Sequence, residues 1–313
     1  MAAIGKGYAK VILFGEHFVV YGLPGIASSI DKCVQIDAQK VKDSDDVVFD
    51  DKVYNEKISL KENPEHIKSK LFNAMFKDEE FVPKKGIKLT ITATSTPGGG
   101  MGYSASLCAA MARAMSVLTD QGWKDDKIFE VTMKGETIAH GTPSGIDPAC
   151  ATYGSLILFE KNMEGGKNKI QPFKLGAPLY LVLADTGIKH DTKEAVMDVR
   201  KRKEANPAEY EKIFSDYKTL VGKAKTALKF GETIEVGKLM NENHELLKKI
   251  GVSIPEIENI IKVMNYSNAL GAKITGAGMG GNVIGLCENE KHQDKMLATL
   301  ESKGIKAIKT KIN

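Results

Sequence analysis

Four short segments of the sequence combine glycine with acidic, basic or hydroxyl side chains. One of them is TSTPGGGMGYSAS, which begins at Thr94 and places four glycines before Ser104 and Ser106. Glycine lets the backbone approach an oxyanion closely, and a helix N-terminus adds about half a positive charge. The two serines can cap a helix, contact a phosphate or ligate a metal. The segment therefore favours an anion-binding loop, with a serine-capped turn as the alternative.

The sequence on either side predicts how this loop is held. Apolar residues alternate over residues 87–93, as in a strand, and the Ala/Met/Leu-rich segment after Ser106 is typical of a helix. The loop lacks the GxxxxGK[ST] spacing of a Walker loop, and Tyr103 occupies the third glycine position of the GxGxxG fingerprint. The loop alone therefore predicts phosphate binding without identifying the nucleotide.

A second candidate segment joins Glu136 and His140 to Asp147. Residues 125–139 predict a helix, on which Glu136 and His140 share one face because they are four residues apart. They are either a metal-binding pair or a surface ion pair. Asp147 precedes Pro148, an order typical of a helix N-cap and first helical position. Its carboxylate is either only that cap or a group that acts on a substrate.

The other two segments lie near the ends of the chain. Residues 9–14 predict a buried strand, and Glu16 and His17 follow on its exit loop, where they are either solvated turn residues or part of a site. Residues 272–287 predict a strand, a glycine loop and a second strand. Two glycine loops in one chain suggest that both line one cleft, with a wide glycine-rich hairpin as the alternative for the second.

The elements that must position these segments form two predicted domains, residues 1–175 and 176–313. Polar hairpins are predicted over residues 30–60 and a helix over 64–77. Further strands are predicted over 155–159 and 179–184. Apolar residues at helical spacing predict a buried face over residues 210–229. Other helices are predicted over 192–203 and 234–250 and after Pro255.

Composition limits the class of protein. The 313 residues suffice for two domains, and the hydrophobic fraction of 42% and charged fraction of 27% are ordinary for a globular protein. A net charge of +4 with scattered lysines does not suggest binding to nucleic acid or membranes. The four cysteines lack CxxC spacing and predict buried thiols in a reducing compartment. Without a signal peptide or a membrane-spanning apolar run, we expect a cytoplasmic location.

Together the four segments are more specific than any one of them. KVILFGEHFVVYG from Lys10, PGGGMGYSAS from Pro97, HGTPSGID from His140 and KITGAGMGG from Lys273 resemble the GHMP kinases. Within that family, GEHxVVxG combined with HGxPSGxD is similar to the mevalonate kinases. The resemblance implies a two-lobed α+β fold with ATP and substrate in the cleft between the lobes. It also implies Mg²⁺-dependent transfer of a phosphoryl group from ATP to the 5-hydroxyl of mevalonate, a step of isoprenoid biosynthesis, by a monomer or homodimer.

The resemblance also implies a role for individual residues. Asp147 matches the catalytic aspartate, and Lys10 matches the lysine that pairs with it and with the γ-phosphate. Ser104 and Glu136 match the Mg²⁺ ligands. The residues that would wrap the ATP phosphates are Pro97, Gly98, Gly99, Gly100, Met101, Gly102, Tyr103, Ser104, Ala105 and Ser106. The residues that would lie near mevalonate are Glu16, His17, Asp147, Thr192, Gly276, Ala277 and Gly278.

Three positions depart from the family pattern, namely Tyr103 for a serine, Met279 within a glycine run and Pro148 for an asparagine. None of them removes a group that phosphoryl transfer needs. Another GHMP small-molecule kinase, similar to phosphomevalonate kinase, and a catalytically silent sensor of the same fold are the alternatives. A sensor has no need to keep Lys10, Ser104, Glu136 and Asp147 together. An oxidoreductase is disfavoured by the incomplete dinucleotide fingerprint.

Overall fold

Two long paired strands, β1 (Ala3–Phe14) and β2 (Gly25–Val41), contribute residues to both of the units into which the chain divides. The computed structural model describes residues 3–77, 86–95, 100–141 and 143–313. The first unit comprises Met1–Lys10, Ser29–Pro97 and Met101–Gly154. The second comprises Val11–Ser28, Gly98–Gly100 and Ser155–Asn313. The domain boundary near residue 175 stays a prediction.

In the first unit, strands and helices form two layers around an apolar core. The strands that join β2 are β3 (Val47–Asp51), β4 (Glu56–Ser59) and β5 (Gly86–Ala93). The helices are α1 (Ile67–Phe76), α2 (Tyr103–Leu118), α3 (Asp125–His140) and α4 (Ile146–Tyr153). Phe49, Phe72, Met75, Met111 and Val131 lie in the core between the layers.

The order of these strands differs from the predicted series of hairpins. β3 and β4 do form an antiparallel hairpin, but β5 lies between β2 and β3. β5 is antiparallel to β2 and parallel to β3. Of the hairpins predicted over residues 30–60, the one formed by β3 and β4 is therefore confirmed, whereas β2 and β3 form none because β5, a strand more distant in sequence, lies between them.

Strand β1 begins at Ala3, six residues before the predicted start, and its glycines bring it against α2. A Cβ added at Gly5 would lie 2.0 Å from the carbonyl oxygen of Ala110. One added at Gly7 would lie 2.0 Å from the carbonyl oxygen of Ser106. Only glycine permits this approach of two backbones. The contact fixes the N-terminal half of α2 against β1.

The second unit contains a four-stranded antiparallel sheet in the order β11-β8-β10-β9. Its strands are β8 (Leu179–Asp185), β9 (Gly271–Thr275), β10 (Asn282–Cys287) and β11 (Ala307–Ile312). Two more strands, β6 (Leu156–Glu160) and β7 (Lys169–Pro172), pair with each other, and β6 also pairs with β2 over Gly25–Ser28. The predicted strand, glycine loop and strand near the C-terminus are confirmed as β9, a turn and β10.

The helices of the second unit are α5 (Thr192–Ala205), α6 (Pro207–Phe230), α7 (Thr233–Lys249), α8 (Pro255–Tyr266) and α9 (Glu290–Ser302). Four of them, α5 to α8, agree with the predicted ones to within a few residues, whereas α9 was not predicted. Proline stands at the first position of α6 and α8, where its missing N–H costs nothing. Helix α7 packs on β9, and α8 packs on β9 and β10. These contacts support the base of the second glycine loop.

Two of the expectations drawn from composition concern membrane-spanning segments and the state of the cysteines. None of the helices described is long and apolar enough to cross a membrane. Cys108, Cys150 and Cys287 are buried free thiols, as predicted, whereas Cys33 is partly exposed.

Candidate active site

An ion pair between Lys10 and Asp147 lies in the first unit, with 3.3 Å between Lys10 Nζ and Asp147 Oδ1. Lys10 projects from β1 with a side chain only 7% exposed, whereas that of Asp147 is 36% exposed. The N-cap of α4 is Gly145, with a φ of 92°, so the helix begins before Asp147. The predicted N-cap at Asp147 was wrong because Gly145 adopts a left-handed conformation that starts the helix earlier. The carboxylate of Asp147 is instead paired with Lys10.

The N-terminus of α2 meets this ion pair. Its N-cap is Gly102, which has a φ of 73° and offers no side-chain cap. A Cβ added at Gly102 would lie 3.3 Å from Lys10 Cγ and 3.4 Å from Asp147 Oδ2. The N–H of Lys10 also donates to the carbonyl of Met101 at 3.0 Å. First-turn N–H groups of a helix have no intrahelical acceptor, so this position suits an anion.

Two oxygen atoms beside α2 are buried without hydrogen-bond partners among the described residues, namely Ser104 Oγ and Glu136 Oε1. The other oxygen of Glu136 lies 3.8 Å from His140 Nε2, and the Glu136 side chain is 3% exposed. Burial is the main cause that raises the pKa of Glu136, and Asp147 raises it further. Interactions of the carboxylate with Ser104 and with His140 lower the pKa of Glu136. Unpaired buried oxygens are costly, so their presence points to a ligand.

A hard divalent cation fits this pair of donors. Hydroxyl and carboxylate oxygens are the ligands that such cations prefer. No cluster of three His, Cys, Asp or Glu side chains suited to a metal occurs in the described part of the chain. Ser104 and Glu136 would supply two oxygen ligands, to which phosphate oxygens and water can be added.

The other residues predicted to form the ATP loop differ in burial and in contacts. The Ser106 hydroxyl is buried, 2.7 Å from the carbonyl oxygen of Tyr8 and 2.9 Å from that of Gly102, so it secures the helix start. The Tyr103 ring meets that of Tyr54 edge-on, and burial raises the pKa of its hydroxyl. Gly100 has a φ of 68°. Met101 and Ala105 are buried. Pro97, Gly98 and Gly99 lie outside the described residues.

In the second unit, Glu16 is fully enclosed by protein. Its carboxylate pairs with Lys273, and neither side chain is exposed. Glu16 Oε2 also accepts from the N–H of Gly15 at 3.0 Å and from Asn243 Nδ2 at 3.3 Å. Burial lowers the pKa of Lys273, and the charge of Glu16 opposes this change. The carboxylate of Glu16 is therefore committed to contacts within the protein.

One ring nitrogen of His17 has no hydrogen-bond partner among the described residues. Its Nε2 lies 2.7 Å from the carbonyl oxygen of Ala277, which can only accept, so Nε2 carries the proton. Its Nδ1 is buried and has no hydrogen-bond partner among the described residues. Burial lowers the pKa of His17, as does Arg202, while the bond to Ala277 raises it. The neutral ring leaves Nδ1 as a hydrogen-bond acceptor.

The turn between β9 and β10 contains the remaining predicted substrate residues except Thr192. A Cβ added at Gly278 would lie 2.4 Å from the carbonyl oxygen of Val252, whereas Gly276 borders open space. Met279 has a φ of 57°, a conformation that favours glycine, and its N–H donates to Val252 at 2.8 Å. Thr192 is the exposed first residue of α5.

Sequence reasoning missed Lys273 and Asn243. The signal that was available is a lysine among the small and apolar residues of β9, because lysine is rarely buried unless it is paired. Asn243 had no comparable signal, since a polar residue on an amphipathic helix is ordinary.

Comparisons with known proteins agree with the motifs. Residues 66–155 match the GHMP kinases N terminal domain, and residues 224–306 match GHMP kinases C terminal. The mevalonate kinase of Pyrococcus furiosus is 34% identical over 312 residues, covering 94% of this chain and 91% of that protein. The chain belongs to the mevalonate kinases of the GHMP kinase family.

Solved structures of this family have the same fold. L. major mevalonate kinase in complex with R-mevalonate matches with a TM-score of 0.88 and 32% identity, covering 100% of this chain and 96% of that one. The Methanococcus jannaschii mevalonate kinase gives a TM-score of 0.87 at 28% identity, covering 100% and 99%. The predicted family, α+β GHMP kinase fold and kinase activity are confirmed. A kinase of this family uses ATP, which in general requires a divalent metal ion.

Proposed function

We propose that this chain transfers the γ-phosphoryl group of ATP to the 5-hydroxyl of mevalonate, with Mg²⁺ as its metal ion. The observation that carries the proposal is the Lys10–Asp147 pair, which lies against Gly102 at the start of α2. The unpartnered oxygens of Ser104 and Glu136 support the metal site. The L. major relative was solved with R-mevalonate, which supports the acceptor.

In phosphoryl transfer a protein contributes mainly by positioning the reactants and by compensating the charge of the phosphates. The acceptor oxygen forms a bond to the γ-phosphorus while the bond from that phosphorus to the β,γ-bridging oxygen breaks and ADP leaves. Asp147 orients the hydroxyl and takes its proton on a carboxylate oxygen. Lys10 places a positive charge beside that carboxylate and toward the γ-phosphate. Ser104 and Glu136 would hold Mg²⁺, which neutralises phosphate charge when bound.

On the acceptor side, we assign His17 to a hydroxyl of the alcohol through its unpartnered Nδ1. Gly276 and its neighbours Ala277 and Gly278 offer backbone groups, since Gly276 borders open space. Thr192, exposed at the start of α5, is assigned to the same substrate.

A coupled ADP-release assay with Mg·ATP tests the function. Mevalonate, phosphomevalonate, galactose and homoserine are offered as acceptors, and we expect turnover with mevalonate. Turnover with phosphomevalonate alone would favour a phosphomevalonate kinase-like enzyme. Absence of turnover with all four would favour a catalytically silent sensor.

A further inference from the structure

A buried ion pair in the second unit connects the exit turn of β1, residues 15–17, to the base of the glycine loop, residues 276–281. Lys273 and Glu16 are 257 positions apart in sequence, and neither side chain is exposed. Lys273 Nζ also donates to the carbonyl of Ile274 at 2.6 Å. Asn243 Nδ2 donates to the second carboxylate oxygen of Glu16. Both charged groups are therefore held by several partners.

Two further hydrogen bonds join the same two segments. The N–H of Ile12 donates to Thr275 Oγ1 at 2.9 Å. His17 Nε2 donates to the carbonyl of Ala277 at 2.7 Å. Residues 12–17 are thus joined to residues 273–277 by three contacts, and the ion pair is the one of them made between two charged side chains. The bond to Ala277 holds the imidazole ring of His17, whose Nδ1 has no hydrogen-bond partner among the described residues.

The second half of the glycine loop is held differently. The N–H of Met279 donates to Val252, and the N–H of Gly281 donates to Ile188 at 2.9 Å. These are bonds between backbone groups, which a change at Lys273 leaves intact. Glu16 is instead adjacent in sequence to His17, whose ring contacts Ala277 in the first half of the glycine loop.

Stability alone does not explain a charged pair at this place. Two buried charges are costly to desolvate, and a well-packed apolar pair of similar volume is often equally stable or more stable. An ion pair with fixed hydrogen-bond partners instead selects one relative position of two segments.

We propose that Lys273, acting through Glu16, is a positioning residue for the phosphoryl acceptor. The pair holds His17 and the first half of the glycine loop in the arrangement that binds the acceptor alcohol. The proposal rests on the proposed function, because it assumes that this part of the second unit binds the alcohol. Glu16 then acts without touching the substrate, although the family pattern associates it with the substrate.

The kinetic test uses Lys273→Met and the double variant Glu16→Gln/Lys273→Met. The single variant leaves a carboxylate buried without its cation and is expected to be the less stable of the two. The double variant is neutral and should fold. We expect its KM for mevalonate to rise about 10- to 100-fold, as misplacement of about 1 Å can cost 10²-fold. Its KM for ATP should stay within about threefold.

Gln293→Leu is the matched control in the same unit. Gln293 is 3% exposed, and its Nε2 donates to the carbonyls of Leu181 and Thr310, so the variant loses two buried hydrogen bonds. We expect it to lower Tm and to leave both KM values unchanged. If the double variant behaves as this control does, the ion pair has only a structural role and the proposal is overturned.

Hydrogen–deuterium exchange of the nucleotide-free protein gives a readout that does not need turnover. We expect the double variant to exchange at least about tenfold faster in peptides covering residues 12–18 and 274–279. Exchange over residues 307–312 should not change. Wild-type exchange rates in the first two peptides would overturn the proposal. A wild-type enzyme that phosphorylates no alcohol would contradict the proposed function, while exchange still decides whether the pair holds the loop.

Discussion

Replacing Glu136 by glutamine should stabilise the free protein and weaken its complex with metal and nucleotide. In the free protein the Glu136 side chain is 3% exposed, and one of its oxygens has no hydrogen-bond partner among the described residues. Burial raises its pKa above the ordinary 4.5, so its ionisation opposes folding. Below pH 4.5 the carboxyl is protonated in both states and the penalty vanishes. As pH rises through the folded-state pKa, the penalty reaches its full size.

The size of the stabilisation follows from this burial. Leaving one oxygen of a buried carboxylate unsatisfied costs about 1–3 kcal/mol or more. Glutamine is neutral but keeps an unpartnered polar atom, so a gain of about 1 kcal/mol in the free energy of unfolding is expected at pH 8. For a protein of this size, that gain raises Tm by about 2 °C. The gain should be smaller at pH 5.

In the complex, by contrast, the substitution should lower the affinity for the metal ion. Loss of a residue that merely orients a metal ligand costs about 10- to 100-fold in metal affinity. Loss of the ligand charge itself should cost about 100-fold, equivalent to about 2.7 kcal/mol. The Mg²⁺ concentration for half-maximal rate should therefore rise by that factor, while the KM for the alcohol changes less.

Thermal melts in EDTA at pH 5 and pH 8, together with Mg²⁺ titration of the rate at saturating ATP, measure both effects. Glu130→Gln is the control, because Glu130 lies on the same helix, is 58% exposed and pairs with Lys127 at 3.0 Å. A metal requirement within threefold of wild type would refute the ligand assignment. A variant whose Tm gain in EDTA is larger at pH 5 than at pH 8 would refute the account of the buried carboxylate.

Three further predictions concern other residues of the two units. Asp147→Asn should lower kcat by about 10²- to 10⁴-fold and change ATP affinity by less than about tenfold, because a proton acceptor is lost while the nucleotide contacts remain. A kcat within threefold of wild type would remove Asp147 from this role. Gly100→Val should raise the KM for ATP at least about tenfold, because Gly100 has a φ of 68° and a branched side chain blocks the approach of phosphate. A wild-type ATP affinity of this variant, measured by calorimetry, would contradict the prediction. Burial lowers the pKa of His244 below its ordinary 6.5, so its contribution to stability is present above pH 6.5 and lost as pH falls through the folded-state pKa. His244→Gln should therefore flatten the decrease of Tm between pH 7 and pH 5, and equal slopes in the two proteins would exclude His244 as its source.

Much of the site was predictable because its signals are local. The glycines before Ser104 marked the start of α2, and the four-residue spacing of Glu136 and His140 placed both on one face of α3. Helix α6 followed from apolar periodicity, and Pro255 marked the start of α8. The pairing of Lys10 with Asp147 came from the family resemblance, and their ion pair agrees with it.

Other features depend on residues far apart in the chain. The sequence did not predict that Gly5 and Gly7 belong to a strand, because glycine is a poor strand residue until the backbone of α2 packs against it. Asp147 suited an N-cap by its type, yet Gly145 starts α4 and the carboxylate pairs with Lys10.

Glu16 and His17 show most clearly what the sequence determined and what only the tertiary structure decided. Their types and their place after a buried strand marked them as candidates for a site. The fold then enclosed Glu16 with Lys273 and left His17 Nδ1 without a partner among the described residues. These two neighbours in the sequence thus have different contacts, because the contacts of a side chain depend on partners that only folding brings within hydrogen-bond distance, here from 257 positions away.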